Sequence, residues 1–293
     1  MRKFSFVILH YQTTNDTIKC VESILENVRF DSFNIIIVDN GSTNNSGQIL
    51  REKYLNNYNI QIIESFENLG FAKGNNLGYN YAKYNTKSDF ICLLNNDTYI
   101  EQENFIEKIV DRYDKSEYHI LGPDIISVID GRHQNPNKDS LSDLVSIKSS
   151  LNHYRIMLFL NYFLLDKILV DIKKQFFPTP IMPRIEQNLS YKTEQEGIKL
   201  HGSCLIFSEK YISKYEGLYP KTFMYAEESI LNFISKRDNL ISVYFPDARI
   251  YHKEDSSTDY EYPKSSKKRQ FYYANYIDSL KVLIELIKKE NEK

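Results

Sequence analysis

Apolar and polar positions alternate with two different periods along the first 115 or so residues. Residues 4–9 form an apolar run that reads as a strand. After His10-Tyr11-Gln12-Thr13-Thr14, the residues Ile18, Val21, Ile24, Leu25 and Val28 recur at the spacing of one helix face, with Thr14 or Asn15 as cap. Residues 35–38 are β-branched and wholly apolar, the pattern of a strand covered on both faces. A helix carrying Ile49, Leu50 and Tyr54 follows, then a strand over 60–63 and a helix through Leu77 and Tyr81. A fourth strand over 90–94 leads to a helix with Phe105, Ile106, Ile109 and Val110. Strand and helix thus alternate four times, which predicts an α/β fold with a mainly parallel sheet and right-handed crossovers.

From residue 124 to about 199 the alternation stops. Residues 151–170 are strongly apolar, but Arg155, Asn161, Asp166 and Lys167 interrupt them, which is too polar for a spanning helix. Two readings stay open: a helix packed on the domain, which is the expectation, or one lying in a membrane interface. Pro178, Pro180 and Pro183 then predict an extended linker. Strand character returns over 200–207, around His201-Gly202-Ser203-Cys204, and Gly217-Leu218-Tyr219-Pro220 reads as a turn. Glu227 and Glu228 open a helix through Ile230, Leu231 and Ile234, where the helix dipole alone favours acids. A strand over 241–245, the triplet Ile250-Tyr251-His252 and a polar loop over 253–258 follow. The tail from Lys264 is basic and Tyr-rich, and becomes an amphipathic helix at Ile277, Leu280, Leu283, Ile284 and Ile287.

Composition narrows the chemistry. With 37 basic and 39 acidic residues the net charge is -2, so nothing draws the chain toward nucleic acid. Cys20, Cys92 and Cys204 have neither metal-ligand spacing nor the look of a disulfide framework, which makes a reducing cytoplasm the default. The apolar run after Met1-Arg2-Lys3 stops at Leu9, too short for a signal-peptide core. No G-x-G-x-x-G follows the first strand and no G-x-x-x-x-G-K-[ST] occurs, so dinucleotide and P-loop readings are poor. Polar motifs do collect where three strands end: Asp39-Asn40-Gly41-Ser42, the loop over 68–76, and Asn95-Asn96-Asp97. Open α/β sheets bind ligands at that edge. Taken alone, Asn95-Asn96-Asp97 would be an ordinary Asx-type turn. Together the motifs predict one crevice holding separate acids at Asp39, Asp97, Glu227 and Glu228, with His252 nearby.

Four stretches, in this order, resemble the family 2 inverting glycosyltransferases, and most of all the rhamnosyltransferase-like branch of bacterial surface polysaccharide synthesis. They are Val38-Asp39-Asn40-Gly41-Ser42, Asn68-Leu69-Gly70-Phe71-Ala72-Lys73-Gly74-Asn75-Asn76-Leu77-Gly78, Leu94-Asn95-Asn96-Asp97-Thr98 and Phe223-Met224-Tyr225-Ala226-Glu227-Glu228. The likeness covers roughly residues 4–258 and is weakest over 124–199. It implies a GT-A fold: a mainly parallel, Rossmann-like sheet flanked by helices, with a helical insertion and a C-terminal helix. By the same resemblance, residues 1–258 form the catalytic domain with a variable, partly helical insertion over 124–199. Residues 259–293 form a basic, Tyr-rich helical extension.

The resemblance also implies roles. Asp39 matches the acid that bonds the nucleotide base or ribose. Asn95-Asn96-Asp97 matches the D-x-D motif, whose last acid holds Mn²⁺ or Mg²⁺ on the donor diphosphate. Oxygen ligands on such a cation neutralise the charge of a leaving diphosphate. His252, followed by Ser256 and Ser257, resembles the late histidine that completes the metal or phosphate site. His10, Asn68, Gly70, Lys73, Gly74, Asn75, Gly202 and Ser203 fall in the family's donor-binding segments. Glu228 matches the second acid of the family's E-D pair, the general base of an inverting transfer, and Glu227 is the competing assignment. Asn95 stands where the first D-x-D acid would be, Glu228 is one methylene longer than the usual Asp, and Ile230 replaces a further acid.

The function so implied is metal-dependent, inverting hexosyl transfer from a UDP- or dTDP-sugar to an oligosaccharide or lipid-linked acceptor in capsule or O-antigen synthesis. Its setting is cytoplasmic and, only on the interfacial reading of the apolar segment, peripheral at the inner face of the membrane. The second reading is a non-catalytic GT-A module that binds nucleotide sugar or glycan within an assembly complex. Retention of Asp97, Glu228 and His252 favours the enzyme.

Overall fold

The computed structural model describes residues 2–137, 141, 143–169, 189–254 and 265–292. Pro178, Pro180, Pro183, Ser256 and Ser257 lie outside them. The alternating segment forms β1 (Phe4–His10), α1 (Thr14–Asn27), β2 (Phe33–Asp39), α2 (Ser46–Tyr54), β3 (Ile60–Glu64), α3 (Phe71–Tyr81) and β4 (Phe90–Asn95), followed by β5 (Thr98–Tyr99) and α4 (Phe105–Lys115). Side chains alternate across a strand. Phe4, Phe6 and Ile8 of β1 therefore pack on one side with Cys20, Val21 and Ile24 of α1, Leu50 of α2 and Phe105 of α4. Val7 packs on the other side with Ile36, Val38, Leu93 and Ala72 of α3. Burying each such Val, Leu, Ile or Phe side chain contributes roughly 1.5–3 kcal/mol.

The second half continues through β6 (Ile120–Ser127), α5 (Leu144–Tyr162), β7 (Gln195–Glu196), β8 (Cys204–Ser208), α6 (Glu209–Ile212), α7 (Glu227–Arg237), β9 (Ser242–His252) and α8 (Ser265–Asn291). The sheet order is β3-β2-β1-β4-β8-β6-β9-β5, with β7 also paired to β9. Pairing is parallel through β3-β2-β1-β4 and again between β6 and β9. It is antiparallel at β4-β8, at β8-β6 and where β5 and β7 meet β9. The sheet is thus parallel where strand and helix alternate in sequence, and mixed beyond.

Several boundaries differ from the sequence expectation for physical reasons. β6, where the sequence pattern predicts no strand, runs through Gly122-Pro123-Asp124 with a register shift after Pro123. Opposite that shift, β9 carries Pro246 and Asp247, so the two short segments expected over 241–245 and 250–252 are one strand. β8 begins at Cys204, not 200, and leaves His201-Gly202-Ser203 as a turn at the sheet edge. The apolar helix expected over 151–170 begins at Leu144, where the Asp143 side chain accepts from Val145 N and Ser146 N at 2.8 Å each. It breaks where Leu164 takes φ of +59°, and residues 165–169 are a separate helical piece. Ile147, Leu151 and Met157 pack inward, while Ile156, Phe159, Phe163, Leu164 and Ile168 stay more than half exposed. Among the described residues no helix is long and apolar enough to cross a membrane.

Candidate active site

Strand register brings the polar motifs to one edge: His10 lies opposite Asp39, and Leu9 opposite Asn95. A cleft of about 460 Å³ opens there. Its floor is Asn95, Asn96 and Asp97 from the turn after β4, and one wall is His201, Gly202 and Ser203. Glu227 and Glu228 at the start of α7, His252 at the end of β9, and Tyr272 and Tyr276 of α8 complete it.

The two ends of β5 and β9 meet, with Thr98 paired to His252 and the Lys253 amide donating to the Asp97 carbonyl at 2.9 Å. This places His252 Nε2 3.2 Å from Asp97 Oδ1, although that oxygen is buried without a hydrogen-bond partner. Gln134 Oε1 lies 2.8 Å from His252 Nδ1. An amide oxygen only accepts, so in the neutral ring Nδ1 carries the proton and Nε2 presents its lone pair toward Asp97. An orphaned carboxylate oxygen and an imidazole lone pair aimed at the same space fit a divalent cation. Among the described residues no third His, Cys, Asp or Glu joins them in a metal-holding group, so further ligands would be substrate oxygens, water, or amide and backbone carbonyl oxygens. Asn96 plays a different part. Its Nδ2 donates to Thr13 Oγ1 at 2.8 Å and Thr17 Oγ1 at 2.9 Å, tying the turn to α1. The backbone N–H of Asn95 donates to the Ser203 carbonyl at 2.9 Å, which fastens the floor to the Gly202-Ser203 wall.

The adjacent acids have different surroundings. The Gly202 amide donates to Glu228 Oε1, and Asn137 Nδ2 donates to Oε2 at 3.2 Å. The Glu228 side chain keeps 28% of its surface exposed in the cleft. Glu227 Oε1 is buried and unpartnered, and burial pushes its carboxyl up to about 7. Both follow Tyr225 (φ +74°) and Ala226 (φ +61°), two consecutive left-handed residues without glycine's freedom. Such strain persists only where surrounding structure holds it, and it is commonest at functional sites. His201 bridges the two halves of the cleft: Nδ1 is 3.9 Å from Glu228 Oε1, and its ring is 5.8 Å from that of His252. Burial lowers its pKa, with the charge of Glu228 opposing.

A network links the remaining motifs. Asn40 Oδ1 accepts from the Leu69 amide at 3.0 Å, and Asn40 Nδ2 donates to Asn68 Oδ1 at 3.0 Å and to the Gly70 carbonyl at 3.2 Å. Gly70 has φ of +80°, and its missing side chain lets the Phe71 amide reach the Phe223 carbonyl at 2.7 Å. The loop over 68–71 is thereby joined to the segment that leads into Glu227 and Glu228.

Not every expected donor contact reaches the cleft. His10 is fully buried, with Nδ1 2.7 Å from Thr17 Oγ1 and Nε2 2.8 Å from Ser46 Oγ. Burial pushes it down to about 4, with the charge of Asp39 acting the other way. It braces β1 against α1 and α2 instead of facing a ligand. Asp39 is also buried, its Oδ1 accepting from the Ser42 amide at 3.1 Å, and it does not line the cleft. Lys73 points to solvent from α3, Gly74 lies against Leu9 and Asn40, and Asn75 Nδ2 bonds back to the Phe71 carbonyl at 3.0 Å. Conversely, Gln134, Asn137, His201 and Tyr276 surround the cleft and were not among the residues singled out from sequence, whereas Tyr272, whose Tyr272-Tyr273-Ala274-Asn275 stretch resembles a tail pattern of the family, lines it too. Of the first four, only His201, beside Gly202-Ser203, had a signal that could have marked it. The others come from the segments where the alternation fails or from the tail helix.

Residues 5–171 match glycosyl transferase family 2. The chain is 28% identical over 117 residues to the glycosyltransferase GlyG of Streptococcus pneumoniae serotype 4, covering 40% of this chain and 37% of GlyG. It is 25% identical over 236 residues to the low-salt glycan biosynthesis hexosyltransferase Agl10 of Haloferax volcanii, covering 80% of this chain and 62% of Agl10. The chain therefore matches less than two thirds of the length of either relative. The crystal structure of S. aureus TarS 1-349 superposes with a TM-score of 0.54 at 16% identity, over 88% of this chain and 62% of TarS 1-349. The complex of that fragment with UDP gives 0.54 at 17%. These neighbours share the GT-A fold, and with more than half its length matching the family, the chain belongs to glycosyl transferase family 2.

Proposed function

We propose that this chain transfers a hexose, with inversion, from a UDP- or dTDP-sugar to a hydroxyl of a glycan acceptor. The observation that supports this best is the one cleft in which Asp97 and His252 stand on one side of His201 and Glu228 on the other. A nucleotide donor accords with the relatives, since TarS has been crystallised with UDP and Agl10 carries the name of a hexosyltransferase.

Mn²⁺ or Mg²⁺ held by Asp97 Oδ1 and His252 Nε2 would supply the positive charge that a leaving diphosphate needs. Glu228 is the base: it is open to the cleft and oriented by the Gly202 amide and Asn137 Nδ2. It takes the proton from the acceptor hydroxyl as that oxygen bonds to the anomeric carbon. The anomeric C–O bond to the diphosphate breaks on the opposite face, and its electron pair leaves with the phosphate oxygen. Gly70, Asn68 and Asn40 hold the donor-side loop against the 223–226 segment, so donor and base are positioned through one network. The setting we propose is a capsule or O-antigen polysaccharide grown on a lipid-linked acceptor by a rhamnosyltransferase-like enzyme.

The test is transfer and hydrolysis across a panel of UDP-, GDP- and dTDP-sugars, with Mn²⁺ or with EDTA. Turnover of at least one donor, abolished by EDTA, is expected. Tight donor binding without turnover of any donor would overturn the enzyme in favour of a binding module. We further propose peripheral membrane contact through Phe159, Phe163, Leu164 and Ile168, which project exposed from the insertion. Flotation with anionic liposomes should be lost in Phe159→Ser/Phe163→Ser, and equal flotation of that variant would refute it.

A further inference from the structure

The transfer chemistry leaves one wall of the cleft unused. Tyr272 and Tyr276, one helical turn apart on α8, both line it. Their rings are nearly parallel, at 21°, with centroids 5.5 Å apart. Tyr225 meets Tyr272 edge-on at 4.8 Å. Behind them, Tyr154 of α5 packs on Tyr272 at 5.6 Å and on Tyr276 at 4.6 Å, and its hydroxyl is 3.3 Å from that of Tyr272. The rings are thus held from the back and sides, while both residues remain only partly buried at the cleft. The Ser279 hydroxyl donates to the Met224 carbonyl at 3.0 Å, fixing α8 to the strained segment that ends in Glu227 and Glu228. Tyr276 lies close to the base: burial, Tyr154 and then the charge of Glu228 push its phenol up to about 12.

A pyranose ring has an apolar C–H face and a polar rim, and a rigid tyrosine matches both with a ring face and a hydroxyl. The base must touch the acceptor hydroxyl, so the wall beside Glu228 borders the acceptor, while Asp97 and His252 lie across His201 from it. We propose that Tyr272 and Tyr276 form the stacking platform for the acceptor's terminal sugar ring and turn its nucleophilic hydroxyl toward Glu228. This rests on the transferase reading above.

Saturation-transfer NMR on the full chain with UDP and Mn²⁺ tests it, using the methyl glycosides of glucose, galactose, N-acetylglucosamine and rhamnose as probes. The wild-type protein should saturate ring C–H protons of at least one glycoside. Tyr272→Ala should weaken that signal about fivefold while Tyr272→Phe, which keeps the ring face, retains it. UDP affinity should not change in either. Tyr276→Leu, which preserves bulk on α8, should weaken it as well and guards against a folding defect in the alanine variant. An unchanged signal in Tyr272→Ala and Tyr276→Leu, or no glycoside contact with the wild type, would overturn the proposal. So would a parallel loss of UDP affinity, which would assign the wall to the donor. Failure of the wild type to bind UDP would instead count against the donor reading, and the glycoside signal would still decide the platform.

Discussion

Glu227 and Glu228 are the same side chain at successive positions, and only their surroundings separate them. Glu228 is oriented by two donors and open to the cleft; Glu227 is buried at Oε1 and held up near 7 by that burial. Glu228→Gln should lower transfer by about 10²- to 10⁴-fold, the usual contribution of a positioned base, with UDP affinity unchanged. Initial rates and a UDP titration measure both, and undiminished transfer would move the base to Glu227. The Glu227 prediction concerns stability. A carboxyl raised in the folded state holds its proton there after the unfolded chain has lost it. Stability therefore falls as pH rises from the ordinary range near 4.5 to about 7, and is level above. With about 1.36 kcal/mol per pH unit, the upper bound is about 3 kcal/mol. Glu227→Gln should flatten that slope in chemical unfolding at pH 5 and pH 8, and an identical slope in both proteins would refute the assignment.

At the scale of elements, what could be read from sequence followed periodicity. Residues 35–38 and 90–94 are apolar throughout because helices cover both faces of their strands, and that pattern needs no tertiary knowledge. Asp97 was legible because it follows such a strand. Its partner was partly legible, since His252 ends β9, but the length of β9 was hidden by Pro246, which a register shift opposite Pro123 accommodates. Gln134 and Asn137 were not legible, because they reach the cleft from an irregular stretch after β6 that has no period to follow. His10 shows the opposite failure: a polar residue at a strand end was expected at the ligand, but Thr17 and Ser46 saturate both its nitrogens inside the protein. Gly70 couples elements most directly. Its backbone (φ +80°, ψ −172°) is one that essentially only glycine adopts, and a Cβ would overlap the Phe223 backbone. Gly70→Ala should cost about 1–3 kcal/mol from strain alone, and by separating α3 from the segment before α7 it should also weaken UDP binding. Thermal unfolding with a UDP titration checks this; wild-type values in both would show that the contact can relax freely.

For the whole molecule, the question is what holds α8 in place as the Tyr272 and Tyr276 wall of the cleft. α8 packs on α5 through the tyrosine cluster, with Ile277, Leu280 and Leu283 buried in the same core as Ile147 and Leu151. A charged clamp lies beside this contact. Asp166 is wholly buried, with Arg269 Nε 2.5 Å from Oδ2 and Asn161 Nδ2 2.9 Å from the same oxygen. Arg269 chiefly, with Asn161 helping against burial, holds the Asp166 carboxyl down to about 2. Two of the polar residues that seem to interrupt the apolar segment thus bind the insertion to the tail. Removing one partner leaves a buried carboxylate without its cation, a loss of roughly 3–5 kcal/mol where both groups are enclosed. Arg269 is partly exposed, so Arg269→Met should fall toward the lower end of that range. The sign with pH follows from the lowered value: the pair's contribution is complete above the unfolded carboxyl range near 4 and is lost as pH falls toward 2. The gap in unfolding free energy between wild type and Arg269→Met should therefore be widest near pH 6 and narrow steadily below pH 4. A gap independent of pH would mean that the guanidinium acts through packing of its stem alone, and that the insertion and tail are joined by their apolar faces rather than by the buried charge.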